Sequence, residues 1–174
     1  MTVDSISRGK RIFSEMGWEP FAFQTEAWQS YLDGFHGLVN APTGSGKTYS
    51  LLMPIFLEFI RDNPKINRGA GLQAIWITPI RALSKEIELS ANRLIEKLKL
   101  PWKVGVRSGD TKLRERMRQK ERPPQLLITT PESLHLLIAQ KNYPDFFKDL
   151  KVLVADEWHE LMGTKRGVQV ELAL

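Results

Sequence analysis

Eight consecutive residues, Ala41-Pro42-Thr43-Gly44-Ser45-Gly46-Lys47-Thr48, have the types and spacing of a phosphate cradle. Gly44 and Gly46 let the backbone turn its amides inward, and a helix starting near Lys47 would add free N–H groups and about half a positive charge of dipole. Lys47 would then reach the outer phosphates of a nucleotide, while the Thr48 hydroxyl offers Mg²⁺ a hard oxygen ligand. Far along the chain, the apolar run Val152-Leu153-Val154-Ala155 ends in Asp156-Glu157. Paired carboxylates at a strand tip are costly unless a cation meets them. Asp156 is therefore read as the metal ligand, directly or through water, and Glu157 as the group that orients and polarises a water attacking the γ-phosphate. Ahead of the loop, the amide of Gln24 could donate to and accept from an adenine edge.

These groups need elements to hold them. Gly37-Leu38-Val39-Asn40 reads as a short strand leading into the loop, and Tyr49 to Ile60 as the helix leaving it. A first helix capped by Asp4 would end at Gly17, and a second would run from Gln24 through Leu32 to Gly34. Asn63 to Gly71 reads as an exposed loop. Leu72 to Thr78 is the next strand, and Pro79 opens a long helix. Its Ile80, Leu83, Ile87, Ala91, Leu94 and Leu98 recur at intervals of three and four as one buried stripe. Arg81 falls in that helix's first turn, at the carboxyl edge of a strand, where ligands of open α/β sheets bind.

Trp102 to Val106 forms another strand, followed by the turn Ser108-Gly109-Asp110-Thr111 and a basic helix from Lys112 to Arg122. That basic run is either a solvated face or a phosphate-binding one. Gln125 to Thr129 is a strand, and Thr130-Pro131-Glu132-Ser133 opens a helix through Ala139 with cap-like chemistry. Tyr143 to Leu150 reads as a connector, Gly163 to Gly167 as a loop, and Val168 to the end as a helix. Strands near 37, 72, 102, 125 and 151 are apolar on both faces, with helices between them. The expected fold is therefore α/β, a parallel sheet with helices on both faces.

Composition sets further bounds. The chain has 174 residues, 42% hydrophobic and 26% charged, the make-up of an ordinary globular domain. Without cysteine there is no disulfide scaffold, zinc-thiolate site or thiol nucleophile, and a cytoplasmic location is expected. The most apolar stretch, Leu51 to Ile60, is interrupted by Pro54 and Glu58 and falls short of the ~20 residues needed to span a bilayer, so no membrane partner is expected. A net charge of +5 favours a polyanionic partner.

In order, Gln24, the phosphate loop at 41 to 48, Thr78-Pro79 with Arg81-Ala82-Leu83, Ser108-Gly109-Asp110-Thr111, Thr130-Pro131-Glu132-Ser133 and Asp156-Glu157-Trp158-His159 resemble the first RecA-like domain of superfamily two helicases. The resemblance covers nearly the whole chain. Ala155 to Leu161, Lys165 to Gln169 and Gly37 to Asn40 are similar to Lhr-like helicases, most of all the bacterial ligase-associated DEXH-box group. This resemblance implies an ATP- and Mg²⁺-dependent motor moving 3′ to 5′ on single-stranded DNA, with a role in DNA repair and a functional association with an ATP-dependent DNA ligase. It implies nucleotide contacts from Gln24 and from Pro42, Thr43, Gly44, Ser45, Gly46, Lys47 and Thr48, with Thr48 and Asp156 at the metal. It implies backbone contacts to the strand from Thr78, Pro79, Arg81, Ser108, Gly109, Thr130 and Pro131. It places Lys47 and Glu157 in catalysis, with His159 linking the nucleotide to the strand.

Residues 1–174 are thus expected to be the N-terminal RecA-like ATP-binding domain of a longer helicase, stopping before the strand with a Ser-Ala-Thr type motif and before the second RecA-like domain. Loss of that domain's arginine fingers would remove on the order of 10³ to 10⁵ in kcat, so these residues alone are expected to turn over poorly. RNA is the alternative strand, because such contacts grip phosphate and sugar without reading bases. A nucleotide-binding module without turnover is the second alternative. A P-loop kinase or transporter ATPase is disfavoured by the Thr-Pro-Glu-Ser and Thr-Pro-Ile-Arg-Ala-Leu segments.

Overall fold

The computed structural model describes residues 2–42, 44–63, 71–141 and 143–173, with side chains from Asp4 onward. In chain order the elements are α1 (Thr2–Glu15), α2 (Ala22–Leu32), α3 (Lys47–Asp62), β1 (Ala74–Ile77), α4 (Arg81–Leu98), β2 (Val104–Arg107), α5 (Leu113–Glu121), β3 (Leu126–Thr129), α6 (Pro131–Ile138), α7 (Tyr143–Phe147), β4 (Val152–Ala155), α8 (Trp158–Leu161) and α9 (Lys165–Glu171). They fall into two compact units, one of Met1–Asn67 with Arg93–Pro101 and one of Arg68–Asn92 with Trp102–Leu174.

The first unit is helical. Helix α3 has apolar residues on most of its circumference, and Leu52, Met53, Ile55, Phe56, Leu57 and Phe59 are all buried. It is a core helix, and α1 and α2 pack on it. Gly9 lets α1 approach α2 closely, since a Cβ there would lie 3.0 Å from the Trp28 ring. Phe13, Trp18, Trp28 and Tyr49 meet edge to face, and the Trp28 indole N–H donates to the Tyr49 carbonyl at 3.2 Å. Gly17 and Gly34 close α1 and α2 with positive φ, as their sequence positions predict.

The second unit is built on a parallel sheet of order β2-β3-β1-β4. The central strands β1 and β3 are buried at every position, as the Leu- and Ile-rich runs require. Residues Leu72, Ile75, Ile77, Leu127, Leu134, Leu137, Leu161 and Val170 form one core cluster.

Four strands are parallel as expected, and the fifth is not formed. Residues 37–40 carry no strand, and Leu38 is 81% exposed. A run of four residues containing Gly37 and Asn40 is a weak strand former, and no ladder fixes it here. Other boundaries also move, and α1 begins at Thr2, so that Asp4 lies in its first turn rather than capping it. The last helix begins at Lys165 rather than Val168, because Thr164 caps it by accepting from the Gly167 N–H at 3.2 Å. The expected connector after Tyr143 contains α7. In α4 the stripe from Leu83 to Leu98 faces inward, but Ile80 lies before the helix and is exposed. Of the loop expected at 63–71, residues 64–70 lie outside the described residues.

Candidate functional site

In the helical unit the phosphate loop leads directly into α3. Gly44 and Gly46 have φ of +78° and +82°, a backbone that side-chain-bearing residues adopt only with strain. Ser45 closes the turn, its Oγ donating to the Pro42 carbonyl at 2.6 Å. Gly46 caps α3, so Lys47 and Thr48 occupy the first turn, where N–H groups lack helical acceptors and the dipole favours anions. Thr43 lies outside the described residues.

Gln24 is the surprise of this unit. It is only 2% exposed, and both ends of its amide are engaged. Its Oε1 accepts from the Phe21 N–H at 2.9 Å, and its Nε2 donates to the Gly46 carbonyl at 2.9 Å. The residue expected at an adenine edge therefore ties the start of α2 to the last glycine of the phosphate loop. The same carbonyl accepts from the Tyr49 N–H at 3.0 Å, so one oxygen joins α2, the loop and α3.

In the sheet unit the acidic pair follows β4. The Asp156 N–H continues the ladder to the Ile77 carbonyl at 2.8 Å. Its Oδ1 accepts from the Glu157 N–H at 2.9 Å, and its Oδ2 from the indole N–H of Trp76 at 3.2 Å. Glu157 sits in the left-handed region at φ 49°, rare for a residue with a side chain and a form of strain that gathers at functional sites. His159 is exposed, its Nδ1 3.4 Å from the Glu157 carboxylate and its Nε2 3.5 Å from that of Glu160.

Among the described residues no three His, Cys, Asp or Glu cluster to form a metal cage. Each taken by itself, the Thr48 hydroxyl and the Asp156 carboxylate are hard-oxygen groups of the kind Mg²⁺ takes beside waters and phosphate oxygens.

The predicted strand contacts all follow the C-terminal ends of β1, β2 and β3, one edge of the sheet, where open α/β folds bind ligands. Their side chains differ in direction. Thr78 is fully buried and Thr130 nearly so, and Pro79 and Pro131 are buried too. The Thr130 hydroxyl caps α6, accepting from the Ser133 N–H at 3.4 Å. The edge instead presents Ile80, Arg81 and Gly109 to solvent, with Ser108 partly exposed.

Two arginines tie these loops together, and a third holds one of them to α5. Arg81 donates to the Asp110 carboxylate, joining the loop after β1 to that after β2. Arg116, on α5, donates to the carbonyls of Ser108 and Gly109 at 3.0 and 2.7 Å. Arg166, on α9, donates to the Glu132 carboxylate and, at 2.9 Å, to the Pro79 carbonyl. Burial acts to raise the Glu132 carboxyl, but hydrogen bonds from Arg166, its own backbone and Thr130 outweigh it and hold the group below its usual range.

Sequence reasoning missed Trp76 and Arg166 as site residues. The signal for Trp76 was an indole N–H in an otherwise aliphatic strand, a donor that needs a buried partner. Arg166 lies in the Lys165 to Gln169 segment that carries part of the resemblance, but nothing local shows its partners, which lie 34 and 87 residues away.

A parallel sheet with three loops at one edge and an Asp-Glu pair at a strand tip, together with a phosphate loop capping a helix, defines a RecA-like P-loop domain of the helicase kind. Residues 21–174 match the DEAD/DEAH box helicase family model, and the chain belongs to that family. It is 37% identical over 150 residues to the ATP-dependent helicase Lhr-Core of Methanothermobacter thermautotrophicus, covering 81% of this chain and 17% of that protein. It is 31% identical over 170 residues to the Lhr helicase/uracil glycosylase of Escherichia coli, covering 90% of this chain and 11% of that protein. Among solved structures, Mycobacterium smegmatis helicase Lhr bound to ssDNA and AMP-PNP superposes with a TM-score of 0.74 at 31% identity, over 95% of this chain and 22% of that one. The DEAD-box helicase Mss116 bound to ssRNA and UDP-BeF shares the fold, with a TM-score of 0.75 at 23% identity over 88% of this chain and 31% of that one. The chain thus spans under a fifth of the length of the Methanothermobacter thermautotrophicus and Escherichia coli relatives. No helix among the described residues is long and apolar enough to cross a membrane.

Proposed function

We propose that this chain is the first motor domain of an ATP-dependent 3′ to 5′ DNA helicase acting in DNA repair. The phosphate loop, with Pro42, Gly44, Ser45 and Gly46 shaping its backbone, holds ATP, and the resemblance adds Thr43 to its nucleotide contacts. Lys47 meets the outer phosphates, and Gln24 braces the loop's final turn. Thr48 and Asp156 are the metal donors. Bound Mg²⁺ would neutralise phosphate charge, and Glu157 would orient the attacking water. His159 and Glu157, within 3.4 Å, are the connection between hydrolysis and the strand.

Thr78, Pro79, Arg81, Ser108, Gly109, Thr130 and Pro131 form the strand-contact edge. With Thr78 and Thr130 turned inward, and the Thr78 N–H donating to the Thr129 carbonyl at 3.0 Å, their contribution is through loop shape. The observation that carries this reading is the edge itself, three loops following parallel strands and joined by Arg81 and Arg166. Such a surface suits a sugar-phosphate chain, because exposed Arg81 and Gly109 with partly exposed Ser108 can grip phosphate without reading bases. DNA rather than RNA, the polarity, the repair role, the cytoplasmic location and a functional association with a DNA ligase rest on the Lhr-like resemblance.

The test is fluorescence anisotropy of a labelled oligothymidylate with and without a non-hydrolysable ATP analogue, competed by unlabelled DNA and RNA of equal length. Binding that the analogue alters and DNA competes more strongly supports the reading. Stronger competition by RNA moves the assignment to an RNA helicase, and no binding removes it.

A further inference from the structure

Arg166 holds two of the three edge loops together. Its Nε and Nη2 donate to the two carboxylate oxygens of Glu132, a fork-to-fork pair, while Nη2 also reaches the Pro79 carbonyl at 2.9 Å. Pro79 precedes Arg81 on the loop after β1, and Glu132 follows Pro131 on the loop after β3. One guanidinium therefore sets the distance between two loops that belong to non-consecutive segments of the chain.

Both ends of this brace are rigid. Glu132 sits in the first turn of α6, fixed by the Thr130 cap and favoured there by the helix dipole. Arg166 sits in the first turn of α9, fixed by the Thr164 cap. Gly167 lies so close to the preceding segment that a Cβ would come 2.2 Å from the Leu161 carbonyl oxygen, so α9 is seated where only glycine fits. An isolated surface ion pair does little. A bidentate pair that also satisfies a backbone carbonyl, between two capped helix starts, fixes geometry.

We propose that Arg166 is a positioning residue for the strand, setting the spacing of the Pro79–Arg81 and Thr130–Pro131 loops so that successive phosphodiesters meet both. This rests on the nucleic-acid reading of that edge. The role assigned to Arg166 is this brace, which engages its Nε and Nη2, and the salt slope tests for any phosphate contact made by Nη1.

Oligothymidylate affinity of the chain is measured over a series of salt concentrations for Arg166→Ala, Arg166→Lys, Glu132→Gln and the double variant Arg166→Ala/Glu132→Gln, with melting temperature and circular dichroism as controls. Lysine keeps the charge but cannot make the fork. The expected result is binding weakened roughly tenfold in Arg166→Ala, in Arg166→Lys and in Glu132→Gln, with the double variant no weaker than the singles. The slope of log K against log salt stays that of the unsubstituted chain, since no phosphate contact is lost. Three outcomes overturn the proposal: rescue by Arg166→Lys, a slope that falls by about one phosphate contact, or affinity that changes only with the fraction of chain folded. Absence of strand binding by the unsubstituted chain would defeat the underlying reading, whereas binding indifferent to Arg166 would defeat this inference alone.

Discussion

The indole N–H of Trp76 donates to Oδ2 of Asp156 at 3.2 Å, joining the buried middle of the sheet to the acidic tip of its neighbouring strand. Trp76 is 1% exposed and pairs in register with Val154, so its ring cannot turn without opening the core. The Glu157 N–H holds the other oxygen of the same carboxylate. Asp156 is thereby fixed before any nucleotide or metal arrives, the preorganisation expected of a metal ligand.

Trp76→Phe keeps an aromatic ring and removes the donor. A hydrogen bond to a charged group contributes about 1.5–3 kcal/mol, part of which here goes to orienting the carboxylate. The Mg²⁺ concentration needed for tight binding of a fluorescent ATP analogue should rise, while metal-free nucleotide affinity holds. An unchanged Mg²⁺ midpoint would show that Asp156 is oriented without Trp76.

Gln24→Ala should lower the melting temperature in the absence of any nucleotide. The substitution deletes the bonds to Phe21 and Gly46 in a site only 2% exposed, and leaving such groups unmatched costs about 1–3 kcal/mol. A companion change, Gly46→Ala, strains the same junction. A Cβ there meets the left-handed φ of +82° and the Gln24 amide nitrogen at 2.8 Å. Calorimetry that finds either variant as stable as the unsubstituted chain would refute the brace.

Arg107 points to a different balance. It is 6% exposed, its Nη1 meets no acceptor among the described residues, and burial with Arg116 nearby pulls the guanidinium below its usual range. An uncompensated buried charge opposes folding. Arg107→Met retains the alkyl stem and removes the charge, so stability should be unchanged or higher, by up to about 2 kcal/mol. Destabilisation by more than ~1 kcal/mol in urea unfolding would mean that the guanidinium has a favourable partner in solution.

Much of this was legible in the residues, and the gaps have physical causes. The phosphate loop, the Asp-Glu strand tip and the edge loops are local patterns, so they are readable wherever spacing alone defines them. The strand expected at 37–40 failed because strand formation depends on a partner, which a run of four apolar or neutral residues does not reveal. Thr78 and Thr130 carry hydroxyls suited to phosphate, yet the sequence could not show that burial turns them inward. Trp76–Asp156 and Arg166–Glu132 are contacts at separations of 80 and 34 residues, fixed only when the sheet aligns β1 with β4 and α9 folds back on α6.

Glu132 adds a pH dependence whose sign is fixed. Its carboxyl titrates lower in the folded chain than in the unfolded one. The stability it contributes is therefore fully present above the ordinary carboxylate range and is lost as pH falls through its folded value. Glu132→Gln removes that ionisation. The melting-temperature difference between the unsubstituted chain and Glu132→Gln should be largest near neutral pH and shrink steadily on acidification. Arg166→Ala should flatten the same profile, because without the guanidinium the hydrogen bonds that lower Glu132 lose their strongest donor. A difference that grows as pH falls would reverse the sign of the coupling and place the carboxylate in an environment that disfavours its charge.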